Sequence, residues 1–103
     1  MENKGLIQMG KDGTVHISGE MTFSSTANLY REFENQFQSM GPDMRIDLSA
    51  VERTDSSGLA LLLEWQAMAA RQQCKLKISN AADDLLMLAQ LCEADTLLDI
   101  SPR

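Results

Sequence analysis

Residues 55–63, Asp55-Ser56-Ser57-Gly58-Leu59-Ala60-Leu61-Leu62-Leu63, decide the fold class together with the strand-like run before them, Met44-Arg45-Ile46-Asp47-Leu48. A β-run feeds a short polar turn, and the turn opens directly into a strongly apolar helix. Two hydroxyls, a carboxylate and a glycine therefore meet at a helix N-terminus. The free N–H groups and positive dipole end there stabilise polar or anionic groups. The turn that follows carries more leucine than a single buried face requires. A polar point beside an apolar ridge is the pattern of a regulated docking surface.

Outward from this centre, the sequence alternates between strand and helix patterns. Leu6 to Met9 is a short apolar patch, and Gly10-Lys11-Asp12-Gly13 reads as a turn between strands. Thr14-Val15-His16-Ile17-Ser18 alternates with period two, as a half-buried strand does. Ser24, Ser25 and Thr26 offer N-caps to a helix running to about Ser39, with Leu29, Phe33 and Phe37 at i, i+4, i+8 and Tyr30 flanking. Gly41-Pro42 stops that helix. The second helix is expected from near Ser57 to about Gln72, with Leu61, Leu62, Trp65, Met68 and Ala69 on its core face. Leu59, Leu63, Gln66 and Ala70 form a separate stripe; a more deeply sandwiched helix would bury it, but Gln66, which would need partners if buried, favours an exposed docking stripe. A strand at Lys75 to Ile78 follows. Asn80 is positioned to cap a third helix that has Asp83 and Asp84 in its first turn and Leu85, Leu88, Ala89 and Cys92 facing inward. Thr96 to Ile100 ends the chain as a strand or extended tail. The resulting order, β-β-α-β-α-β-α with a final β, predicts an α/β fold: a mixed sheet of about four to five strands with helices packed on it.

The bulk properties limit the function classes. At 103 residues the chain, 1–103, forms one domain. A net charge of −6 and the absence of a basic stripe argue against nucleic acid or an anionic membrane as a direct partner. The N-terminus lacks a signal-peptide pattern and the longest apolar run, Leu59 to Leu63, is too short to span a bilayer, so a cytoplasmic location is expected. Cys74 and Cys92 stand alone and read as reduced, buried thiols. Two cysteines and the single His16 make neither a metal site nor a catalytic base for the serines, and there is no phosphate-binding glycine loop. The expectation is a non-enzyme with no metal and no cofactor.

The turn itself has two readings. Asp55 or Ser56 capping the helix would account for the polar residues at about 1 kcal/mol. Gly58 is harder to explain by capping, because glycine within a helix costs roughly 0.5–1 kcal/mol against alanine. Something must approach closely at that point, either backbone or partner. On the docking reading, Asp55, Ser56, Gly58, Leu59, Leu63 and Gln66 are the candidate partner-binding residues. Ser56 and Ser57 are the candidate phosphorylation or regulatory residues.

The segment Ile46-Asp47-Leu48-Ser49 through Asp55-Ser56-Ser57-Gly58-Leu59-Ala60-Leu61-Leu62 resembles the central signature of the STAS domain family, and the likeness extends over nearly the whole chain. Gly58-Leu59-Ala60-Leu61-Leu62-Leu63, Leu88-Ala89-Gln90-Leu91 and Pro102-Arg103 are most similar to the STAS subunits of Mla-type phospholipid ABC transporters. That resemblance implies a non-catalytic subunit bound to the cytoplasmic ATPase subunit, supporting outer-membrane lipid asymmetry in Gram-negative bacteria. Such a subunit would meet the inner membrane only through the complex. The pair Ser56-Ser57 is instead closer to the anti-sigma factor antagonists, where the first hydroxyl after the signature aspartate, here Ser56, is phosphorylated by a serine kinase.

Overall fold

The computed structural model describes residues 5–10, 12–37 and 41–103. The elements in chain order are β1 (Leu6–Met9), β2 (Thr14–Met21), α1 (Thr26–Phe37), β3 (Asp43–Thr54), α2 (Ser56–Arg71), β4 (Lys75–Ala81), α3 (Asp83–Leu91) and β5 (Ile100–Pro102). The α/β order expected from the sequence is the one observed. The five strands lie side by side in the order β1-β2-β3-β4-β5. β1 and β2 form an antiparallel hairpin with Ile7 opposite Ile17, and every later pairing is parallel.

Each parallel neighbour is reached through one helix. Crossovers of a single hand in a sheet that grows in one direction put all three helices on the same face. The burial pattern agrees. Val15, Ile17, Met44, Ile46, Leu48, Leu76 and Ile78 point into the core, while the alternate residues His16, Arg45, Lys75 and Lys77 are exposed. One sheet face is thus covered and the other faces solvent.

α2 is the middle helix of the covering layer. Leu62, Trp65 and Ala69 are fully buried, and the Trp65 ring stacks on Phe33 of α1 with centroids 4.3 Å apart and an interplanar angle of 22°. On its other flank α2 packs on α3. This overturns one expectation. Leu59 is only 2% exposed and belongs to the core, and Leu63 is half-buried against it. At 100° per residue, the Leu59–Leu63–Gln66 stripe lies opposite the α1-facing residues, on the side that α3 covers. A helix with neighbours on both flanks needs a wider apolar arc than one resting on a sheet alone. The surplus leucine is core.

Four further differences have local causes. β3 runs on to Thr54, past the expected end at Leu48, because two register irregularities opposite β2 let the polar segment 49–54 stay paired. Asn80 does not cap α3. Its backbone is left-handed (φ 61°), its Nδ2 donates to Asp47 Oδ1 at 2.9 Å, and the N-cap position is Ala82, which offers no side-chain bond. Cys92 sits at the C-cap of α3 and is exposed, and Cys74 is half-buried; both are free thiols. The closing strand is Ile100–Pro102, later than expected, and the Arg103 guanidinium donates to the carbonyls of Val51 (2.9 Å) and Asn80 (3.2 Å). The expected end of the first helix at Ser39 and part of the Gly10–Gly13 turn (Lys11) lie outside the described residues. No described helix is long and apolar enough to cross a membrane.

Candidate functional site

The site forms where β3 hands over to α2. Asp55 is the N-cap in extended conformation (φ −123°, ψ −169°), and its Oδ1 accepts from the N–H groups of Ser57 (2.9 Å) and Gly58 (3.3 Å). Its Oδ2 accepts from the N–H of Phe23 at 3.1 Å, 32 residues earlier in the chain. One carboxylate therefore starts α2 and ties down the β2–α1 loop. Ser25 holds that loop from within. Ser25 is 2% exposed, and its hydroxyl accepts from Thr22 N–H at 2.9 Å and donates to the Glu20 carbonyl at 2.7 Å. By residue type Ser24, Ser25 and Thr26 mark only a helix start, and nothing in the sequence singles out Phe23. A phenylalanine beside a serine cluster was the available signal, but an exposed aromatic cannot be told from a core one by type alone.

Between α1 and α2, directly beside the turn, lies an open groove of about 470 Å³ lined by Phe23, Thr26, Ala27, Tyr30, Ser57, Ala60, Leu61 and Glu64. Phe23 is 83% exposed, which is unusual for an aromatic without a partner. The groove is the apolar surface next to the hydroxyls, on the opposite flank of α2 from the leucine stripe read from sequence.

The expected site residues thus divide. Ser56 is exposed and no hydrogen bond within the described residues engages its hydroxyl, Ser57 forms part of the groove wall, and Asp55 is committed to three N–H groups. Gly58 and Leu59 are buried. Leu63 and Gln66 are half-buried on the α3 side, and Gln66 Oε1 is buried with no hydrogen-bond partner among the described residues. At Gly58 the close approach is made by backbone. A Cβ there would collide with the Met21 carbonyl oxygen of β2 and lie 2.6 Å from Thr54 Cγ2.

Burial pushes the Asp55 carboxyl up, but the N–H groups of Phe23, Gly58 and Ser57 outweigh it and hold its pKa below the ordinary 3.8. A depressed folded-state value means the stabilisation is fully present above the unfolded value and is lost as pH falls through the folded one. Asp55→Ala is accordingly expected to cost about 2 kcal/mol near pH 7, combining a lost cap with a lost charge-assisted bond to the loop. The gap from wild type should narrow below about pH 3.8. Urea melts of both proteins at the two acidities check it.

A family model described as "Mlab, STAS domain" matches residues 6–99. The anti-sigma-B factor antagonist of Bacillus subtilis (strain 168) is 31% identical over 101 residues, covering 98% of this chain and 92% of that protein. Among solved structures, an anti-sigma factor antagonist from Mycobacterium paratuberculosis superposes with a TM-score of 0.74 at 21% identity, over 97% of this chain and 86% of the other. The phosphorylated form of the Bacillus cell fate determinant SpoIIAA does so with a TM-score of 0.67 at 16% identity, over 93% and 89%. With the match spanning nearly every element from β1 to the approach to β5, the chain belongs to the STAS domain family.

Proposed function

We propose that this chain is a non-catalytic STAS module of the anti-sigma factor antagonist type, which binds a protein partner at the α1–α2 groove and is switched by phosphorylation at Ser56. The observation that carries the reading is the exposed, unengaged Ser56 hydroxyl, next in the chain to Ser57, which lines an apolar groove together with the exposed Phe23. The 31% identity to the Bacillus antagonist over almost the full length supports it. The expected partner is then an anti-sigma factor that is itself a serine kinase.

The physics of the switch follows from the position. A phosphoryl group on Ser56 would add about −1.5 to −2 charges. The start of α2 would stabilise it, but the N–H groups of Ser57 and Gly58 are already held by Asp55, whose own charge is adjacent. An apolar partner surface would meet that extra charge unfavourably. Ser56→Asp is therefore expected to weaken partner binding by at least ~1.4 kcal/mol, tenfold. Phe23→Ala should weaken it similarly without lowering the melting temperature, because Phe23 is solvent-exposed. Titration of wild type and both variants against a partner captured from the native cell tests this. Equal affinity for all three would remove the groove and Ser56 from the interface.

A second reading is favoured by the description of the matching family model. Here the same groove and turn dock the ATPase subunit of a phospholipid-trafficking, Mla-type ABC transporter, and the chain supports its assembly or activity without phosphorylation. Partner identification by mass spectrometry separates the two. A kinase-like anti-sigma factor together with phosphate on Ser56 supports the first, and an ABC ATPase with unmodified Ser56 supports the second.

A further inference from the structure

The open face of the sheet carries a charge arrangement that runs against the rest of the chain. The register of β2, β3 and β4 places Thr14, Arg45 and Lys77 in one row, and Asp43 opposite Lys75 in the next. Met44 and Leu76 point into the core, so Arg45, Lys75 and Lys77 project together on the solvent side. Three of the nine Lys and Arg of a chain with net charge −6 share this corner. Arg45 and Lys77 are directly opposed on neighbouring strands, an arrangement that destabilises a sheet unless an anion relieves it.

No ion pair among the described residues does so, although the Asp43 carboxylate lines the same corner. Neither Arg45 nor Lys77 makes an ion pair, and Asp43 does not reach Lys75. The next carboxylate up the face, Asp47, is already engaged by His16 Nδ1 (3.2 Å), Asn80 Nδ2 (2.9 Å) and the Ser49 N–H (2.9 Å). Asp43, Met44, Arg45, Lys75 and Lys77 enclose a cavity of about 250 Å³. That space admits a phosphoryl group with a few attached atoms. A guanidinium fork and two ammonium groups across a strand spacing of about 4.8 Å can share the oxygens of one phosphoryl group.

We propose that this corner is a binding site for a phosphate-type oxyanion, held by Arg45, Lys75 and Lys77. It lies at the opposite end of the twelve-residue β3 from Ser56, roughly 35 Å away at about 3.3 Å per residue, and is independent of the docking groove. The phosphoryl group comes either from a free phosphomonoester or from a lipid headgroup, and one experiment with two arms separates them. In the first arm, amide chemical shifts are followed while inorganic phosphate is added, against sodium chloride at matched ionic strength. Saturable shifts confined to residues 43–45 and 75–77 are expected, weakened at least about tenfold by Arg45→Gln and by Lys77→Gln, both exposed positions at which the fold should persist. In the second arm, the proteins are sedimented with phosphatidylglycerol or phosphatidylcholine vesicles. Retention on phosphatidylglycerol alone, lost in both variants, assigns the headgroup source; phosphate binding without vesicle retention assigns the free one. Shifts that chloride reproduces, or that neither variant reduces, would overturn the site.

Discussion

Leu59→Asp is expected to abolish folding at 25 °C. Leu59 is 2% exposed, packed on the side of α2 that faces α3, and a carboxylate there would be buried within the hydrophobic core. The loss combines a core leucine, about 2–5 kcal/mol, with the burial of an unpaired charge, several kcal/mol more. A domain of this size holds only about 5–15 kcal/mol in total. Far-UV circular dichroism and a failed thermal transition would show it. Leu59→Met, which keeps the volume, should cost less than about 1.5 kcal/mol. A folded Leu59→Asp protein with a normal melting curve would restore the exposed-stripe reading.

Gly58→Ala is the second large effect, and here the sign is the informative part. In open space within a helix, alanine would stabilise by roughly 0.5–1 kcal/mol. The new methyl would instead collide with the Met21 carbonyl oxygen and press on Thr54 Cγ2, and a carbonyl in a paired strand cannot step aside. A destabilisation of about 3 kcal/mol is expected, at the upper end of overpacking costs. Guanidinium melts of wild type, Gly58→Ala and Thr54→Ser/Gly58→Ala measure it. Because the carbonyl is the main obstacle, trimming Thr54 should recover only a minor part. A neutral or stabilising Gly58→Ala would mean that β2 and α2 are further apart than observed.

The order of elements was readable because hydrophobic period, turn residues and caps agree along most of the chain. Val15 and Ile17 alternate, Leu29 and Phe33 repeat at helical spacing, and Gly41-Pro42 breaks the chain between them and β3. What could not be read was the company each element keeps. The stripe of Leu59 and Leu63 has the same pattern whether α3 or a partner covers it, and only the topology puts α3 there. The groove was invisible for a related reason. It depends on Phe23, whose exposed position follows from a hydrogen bond to Asp55 that spans 32 residues, a separation no local pattern encodes. The polar turn was legible as a site because its chemistry is local; its apolar neighbour was not, because its walls come from two segments. Asn80 misled in the opposite way. Its type suits a helix cap, but the strand beside it offered Asp47, and the longer-range bond prevailed.

Asp55 has a consequence for how the groove can respond. The Phe23 loop and the first turn of α2 form opposite walls, and both lean on the two oxygens of a single side chain. The walls therefore share one degree of freedom: a shift of the loop that lengthens the Phe23 bond must redistribute the hold on Ser57 and Gly58. Linkage then works in both directions, so an occupant that favours one setting of the Phe23 wall biases the environment of Ser56, and a charge at Ser56 biases the Phe23 wall by the same free energy. Communication of that kind needs no movement of the sheet, only a carboxylate whose two oxygens hold both walls.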